Sequence, residues 1–170
     1  KRGESTNKIQ QARIRKTKQF FDNRKEFMLQ LKQDINKGIK QAAKLGLTPV
    51  FRLNGTSDLS WEKYDTGLGG GGDPDFMNIF QVFSDIQFYD YTKVLGRKTG
   101  DIPNYHLTFS AADGNELDVQ AAIQAGMNVA AVFDKLPEEY MGRPVINADE
   151  DDLRFLDPKG VICGLKAKGK

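Results

Sequence analysis

Val129-Ala130-Ala131-Val132-Phe133 is an unbroken apolar run that stops on Asp134-Lys135. A run of that kind suits a strand covered on both faces, the condition of a parallel sheet between helices. Similar short runs recur along the chain, most of them stopping on polar residues. Pro49-Val50-Phe51-Arg52-Leu53 leads into Asn54-Gly55-Thr56-Ser57-Asp58, Ile86 to Tyr91 runs into Thr92-Lys93, and His106 to Phe109 ends on Ser110. Val145-Ile146 and Val161 to Leu165 are two more, the latter ending on Lys166. Between them, Phe76 to Phe83 reads as a short helix. Glu116 to Ala125 reads as an amphipathic one, with Leu117, Val119 or Ala121, and Ile123 inward and Gly126 as its stop. Strands separated by helices or long connections imply right-handed crossovers, because a tight turn cannot join parallel neighbours. An open sheet and a partial barrel both satisfy the pattern. The expected fold is α/β, a mostly parallel sheet forming a partial (β/α) barrel with basic helices at its N-terminal end.

Those helices come from residues 1–46. Ile9, Ala12, Ile14, Phe20 and Phe21 recur at helical spacing after a Ser-Thr-Asn cluster suited to capping. Asp22-Asn23 interrupts them, and from Arg24 the apolar positions Phe27, Leu31, Ile35 and Ile39 predict a second helix that stops at Gly46. Residues 1–45 carry 13 Lys and Arg against 4 Asp and Glu, although the whole chain has a formal charge of only +2. A basic helical arm on an acidic body can meet nucleic acid by neutralising phosphates, with Arg13, Lys16, Lys18, Arg24 and Lys25 as candidate contacts. The competing reading is of solvated helix faces whose lysine stems cover apolar surface, since no aromatic platform for stacking bases is interleaved with them.

A length of 170 residues predicts a single domain, and 39% hydrophobic with 28% charged residues excludes wholesale disorder. One cysteine, Cys163, makes no internal disulfide and cannot supply the thiolates of a zinc or iron–sulfur centre. No stretch approaches the roughly 20 apolar residues that span a bilayer, so the expectation is a cytoplasmic protein with no membrane partner. Lys1-Arg2-Gly3 is no ordinary initiation start and the chain stops on a basic run, which suggests a piece of something longer. Residues 66–74 are rich in glycine and predict a flexible loop. Gly67, Gly69 and Gly72 satisfy G-x-G-x-x-G, but Trp-Glu-Lys-Tyr precedes them and Asp-Pro follows, so the strand–turn–helix setting of a dinucleotide site is missing.

In parallel α/β folds, binding groups gather at the carboxyl ends of the strands. That rule selects Arg52, Asn54, Ser57 and Asp58; Asp90, Tyr91 and Lys93; Ser110; Asp134 and Lys135; Asn147 and Asp149; and Lys166, and all of these but Lys135, Asn147 and Asp149 are candidate ligand-binding residues. Opposed charges and hydroxyls of this kind suit a small polar ligand, with Arg and Lys for anions and Asp for amines or hydroxyls. His106, the only histidine, starts its strand and reads as structural, which excludes a two-imidazole metal site. Asp149 to Asp152 reads as a solvated acidic turn, because consecutive acids point apart and do not converge on a cation. Cys163 reads as an inert core thiol. No metal site and no catalytic residue follow from these patterns.

The strings QARIRKT from Gln11, PVFRLNGTSD from Pro49, QFYDYTK from Gln87, NYHLTFS from Asn104, LRFLDPKG from Leu153 and GLKAKG from Gly164 run in order along nearly the whole chain. Together they resemble the gene-product-eighty-eight-like family of phages and plasmids, a group of unassigned function. Members of that family look like reduced relatives of radical S-adenosylmethionine enzymes, with a cysteine-rich segment upstream of the position of Lys1. The resemblance implies a mobile-element accessory protein. It further implies a 4Fe-4S cluster and S-adenosylmethionine if upstream cysteines exist, with Asp58 in the role of the acid that takes the cofactor's methionine amine and Asn54 beside it. Asp90, Tyr91, Lys93, Asp134 and Lys166 would then line a substrate cavity. Three expectations follow: a strand-end ligand site, whose most concrete version is a metal-dependent enzyme; a module binding nucleic acid or a host protein through the basic helices; and an interaction domain whose acidic face from Glu138 to Asp152 meets a basic partner.

Overall fold

The computed structural model describes residues 2–55, 57–67 and 76–168, with the backbone alone for residues 2–7 and 9. Most of the glycine-rich loop expected at 66–74 lies outside the described residues. The chain divides into two compact units, residues 1–49 with 61–86, and residues 50–60 with 87–170.

The first unit is helical. α1 (Arg2–Asp22) and α2 (Arg24–Lys44) are separated at Asn23, where the backbone leaves helical geometry, as the Asp22-Asn23 interruption predicts. Their aromatic side chains make the unit's core. Phe20 sits edge-on against Phe27, Trp61 and Tyr64 with centroids 4.9–5.4 Å away, a geometry the ring quadrupole favours. Met28 and Ile35 of α2 are buried. A 3-10 turn at Trp61–Lys63 and the short α3 (Ile79–Val82) complete the unit. α3 opens on a full capping box, in which Asn78 accepts from the amides of Phe80 and Gln81 and the Gln81 side chain accepts from the Asn78 amide.

The second unit is a seven-stranded sheet. Its strands are β1 (Val50–Phe51), β2 (Gln87–Thr92), β3 (Tyr105–Ser110), β4 (Val129–Phe133), β5 (Glu139–Tyr140), β6 (Arg143–Asn147) and β7 (Ile162–Lys166), in the order β1-β2-β3-β4-β7-β6-β5. Every pairing is parallel except β5 with β6. β1 to β4 follow one another as in the wall of a barrel, but the sheet is not closed into one. The α/β class and the mostly parallel sheet are as expected.

α4 (Glu116–Gln124) packs on one face of this sheet. There Val119 and Ala122 join Phe109, Val129, Ala131 and Ile162 in a buried cluster. Leu117, expected inward, is 81% exposed. It lies two residues before Val119, about 200° round the helix, so both cannot face the sheet. Val132, expected to be covered, is 63% exposed, and the enclosure of β4 on both faces holds only from Val129 to Ala131. The opposite face carries Ala130, Ala148, Val161 and Cys163, with Tyr91, Ile146 and Leu165 against them.

The sequence pattern missed β5 and its hairpin with β6. Met141 and Gly142, with φ of 49° and 75°, both occupy left-handed backbone in the two-residue turn that joins them. Met-Gly carries no Asn-Gly or Asp-Gly signal. Gly164 is required for another reason: a Cβ there would come within 2.6 Å of Val145 and 3.2 Å of the Ile146 carbonyl, so its absence lets β6 and β7 pack closely.

Candidate functional site

The carboxyl ends of β1, β2 and β3 share one cleft of about 350 Å³, lined by Arg52, Asn54, Gly55, Ser57 and Asp58 from the loop after β1, by Tyr91, Thr92 and Lys93, and by Ser110. Seven of the ten candidate ligand-binding residues therefore come together here, and Lys135, Asn147 and Asp149, which the same rule selects, are not in the lining. Asp90 lies in the sheet beneath, fully buried. Asp134 and Lys166 are exposed at the ends of the paired strands β4 and β7 and are not among the cleft's lining residues.

A buried chain of polar contacts holds the β1 loop on the end of β2. The Asn54 amide donates to Asp90 Oδ1 at 2.7 Å, and the Tyr105 hydroxyl donates to Asp90 Oδ2 at 3.0 Å. Arg97, its side chain 1% exposed, donates to the Tyr105 oxygen at 3.0 Å and to Asp58 Oδ1 at 3.4 Å. Asp58 also accepts from the Thr92 hydroxyl at 2.8 Å and from the Lys93 amide at 2.7 Å. Asn54 closes its own loop, its side-chain oxygen accepting from Ser57 Oγ and the Leu59 amide while its Nδ2 donates to the Leu59 carbonyl.

Burial penalises the charged carboxylate of Asp90, and the two donors and nearby Arg97 and Arg52 offset this only in part, leaving its pKa at about 6 against an ordinary 3.8. Tyr105 is pushed well above the usual phenol value by burial and by the Asp90 charge beside it.

On the other face of β2, Asp152 accepts from the Tyr91 hydroxyl at 2.7 Å, the Tyr89 hydroxyl at 3.2 Å and Arg52 at 3.2 Å. The Arg52 guanidinium also lies 4.6 Å from the centre of the Tyr91 ring. Burial, followed by the contact with Asp152, raises Tyr91. The expected solvated acidic turn is therefore partly an anchor: Asp152 fixes Arg52, and Asp149 accepts from the Lys166 amide at 2.8 Å. Arg154 is buried, donates to the Asp151 carbonyl at 2.5 Å and lies 3.1 Å from Asp157. His106 is lowered by burial, and its Nε2, like the Thr108 hydroxyl, has no hydrogen-bond partner among the described residues. The Cys163 thiol is buried and pushed up to about 12, first by burial and then by its contact with Asp157, which agrees with an inert thiol.

The roles of Thr92, Arg97, Tyr105 and Asp152 were not found from sequence. Arg97 sits in a Gly-Arg-Lys-Thr-Gly loop with no periodic signal, and Asp152 is one acid in a run of four. Of the candidate nucleic-acid contacts, Arg13, Lys16, Lys18 and Lys25 are exposed on α1 and α2. Arg24 instead stacks 4.7 Å from the Tyr64 ring centre and 5.2 Å from that of Phe20.

The match of a family model, gene product 88, covers residues 1–170. The chain belongs to the gene product 88 family. This is a phage gene-product family, and the match carries no statement about radical enzymes, plasmids or a ligand. No curated protein and no solved structure matches the chain. No helix among the described residues is long and apolar enough to cross a membrane.

The iron–sulfur cluster that the radical-enzyme likeness implies would take its thiolates from cysteines upstream of Lys1, and residues 1–170 do not hold one by themselves. A 4Fe-4S cluster is held by several thiolates, whereas the chain has one cysteine, and no group of three His, Cys, Asp or Glu side chains among the described residues is placed to hold a metal ion. Asp58, the acid assigned to the methionine amine of S-adenosylmethionine, already faces Arg97.

Because the folded pKa of Asp90 is raised, the native state binds the extra proton between pH 3.8 and about 6, and this group's contribution to stability falls as pH rises through that window. Asp90→Asn is expected to remove that fall. The difference in unfolding free energy between variant and wild type should move by about 2 kcal/mol in the variant's favour from pH 4 to pH 7, measured by urea denaturation. A pH-independent difference would show that Asp90 titrates normally.

Proposed function

We propose that this gene product 88 protein binds a small polar ligand in the cleft at the carboxyl ends of β1, β2 and β3. The observation that carries this reading is the convergence of charged and hydroxyl side chains from three parallel strand ends on one cleft of about 350 Å³. That volume lies in the range of small-molecule sites. The position also agrees with the general placement of binding groups at the carboxyl ends of parallel strands. The buried contacts from Asn54 to Asp58 support it further, because they fix the β1 loop before any ligand arrives and reduce the ordering cost of binding.

The test is thermal unfolding against a panel of small carboxylates, phosphates, nucleotides, sugars and amines. At a hundredfold excess over Kd a bound ligand stabilises by about 2.7 kcal/mol, which raises the unfolding midpoint by about 5 °C or more. At least one class should do so for the wild type and fail for Ser57→Trp, which fills the cleft. A panel without effect, or an effect unchanged in that variant, would remove this reading.

A second reading has its own observation in the helical unit. From Lys8 to Gln19 every side chain of α1 with described burial except Ala12 is exposed, including Arg13, Arg15, Lys16 and Lys18, and no acidic residue falls in that stretch. Such a helix suits phosphate contacts with nucleic acid. Binding to a random duplex, followed by fluorescence anisotropy, should then weaken steeply between 50 and 200 mM salt. Lys16→Gln and Lys18→Gln should each reduce the slope of log K against log salt by about 1. Absent or salt-independent binding would end this reading.

A further inference from the structure

We infer that the strand-end cleft is a site for an oxyanion, a carboxylate or phosphate group, and that Asp58 and Asn54 are positioning residues of its wall. This rests on the reading of the cleft as a ligand site and adds the chemistry of its ligand. Hydrogen-bond capacity decides it. A carboxylate offers about four acceptor positions, and three at Asp58 are taken by Thr92, Lys93 and Arg97, whose buried guanidinium also matches its charge. The side-chain oxygen of Asn54 accepts two hydrogen bonds, from Ser57 and Leu59. The acceptors that would receive an amine are therefore engaged with the protein.

The donors are not. Lys93 donates its backbone amide to Asp58, while its exposed ammonium makes no ion pair among the described residues. Arg52 uses one guanidinium nitrogen on Asp152, and its remaining N–H groups make no hydrogen bond among the described residues. Asp152 and the Tyr91 ring hold that guanidinium in place. A planar fork fixed in this way, on a lining that also carries Lys93 and the Ser110 hydroxyl, matches an oxyanion in geometry and charge. Asp58 contributes at one remove, by fixing the Lys93 backbone and the loop that carries Ser57.

The experiment is a titration followed by backbone amide NMR shifts, using inorganic phosphate, succinate and putrescine in turn at constant ionic strength. Saturable shifts at Gly55, Ser57, Lys93 and Ser110 with phosphate, succinate or both, and none with putrescine, are expected; which of the two acts tells phosphate from carboxylate. Arg52→Gln and Lys93→Gln should each weaken that binding about tenfold or more, with amide spectra elsewhere unchanged to show that the variants fold. Saturable shifts with putrescine alone would overturn the oxyanion assignment and leave the ligand cleft standing. An absence of shifts with all three probes would overturn the oxyanion assignment, and the thermal panel then decides whether the cleft binds a ligand of another class. Anion shifts that persist undiminished in the Arg52→Gln/Lys93→Gln double variant would overturn the assignment by showing nonspecific binding.

Discussion

The ion pair between Arg97 and Asp58 is the contact on which the strand-end cleft depends. Arg97 leaves 1% of its side-chain surface exposed, and a guanidinium taken that far out of water needs an opposite charge and hydrogen-bond acceptors. Asp58 supplies the charge and the Tyr105 hydroxyl a further acceptor, while the same hydroxyl donates to the buried carboxylate of Asp90. Asp90 in turn receives the Asn54 amide at the start of the loop that carries Asp58. The segment after β1 is thus tied at both ends, to the middle of β2 through Asp90 and to its end through Thr92 and Lys93. With only two residues in β1, little else in the sheet ladder fixes it.

This arrangement separates two kinds of charge at the same rim. Asp58 and Asp90 are consumed by the frame, whereas Arg52 and Lys93 stand on it with donors remaining. A reading that treats every polar residue at a strand end as a ligand contact misses the distinction, because residue type alone does not reveal which partners a side chain already has. Asp152 shows the same point from the other face of β2, where it takes two tyrosines and Arg52 while Asp149 of the same acidic run takes the Lys166 amide.

Much of the fold was legible because its signals are local. The helical spacing of Phe27, Leu31 and Ile35, the apolar runs at Phe88 and Val129, and the polar residues that stop them each belong to one short window. The expected parallel sheet and the grouping of Arg52, Asn54, Ser57, Asp58, Tyr91, Lys93 and Ser110 at one cleft follow from those windows and the strand-end rule. Asp134 and Lys166 passed the same rule, yet they end β4 and β7 and are absent from the cleft lining. Arg97 and Tyr105 were invisible for the opposite reason: their importance comes from partners 39 and 15 residues away in sequence. The β5–β6 turn was missed because Met141 adopts a backbone conformation its residue type rarely signals.

The most direct test of this frame is a double-mutant cycle on Asp58 and Arg97, with unfolding free energies of Asp58→Ala, Arg97→Met and the double variant measured in urea at pH 7. If the pair anchors the loop, the single losses overlap and the coupling between them is about 1–3 kcal/mol. Losses that add to within about 0.5 kcal/mol would mean that the two residues act independently, and the account of how the cleft is held would be wrong.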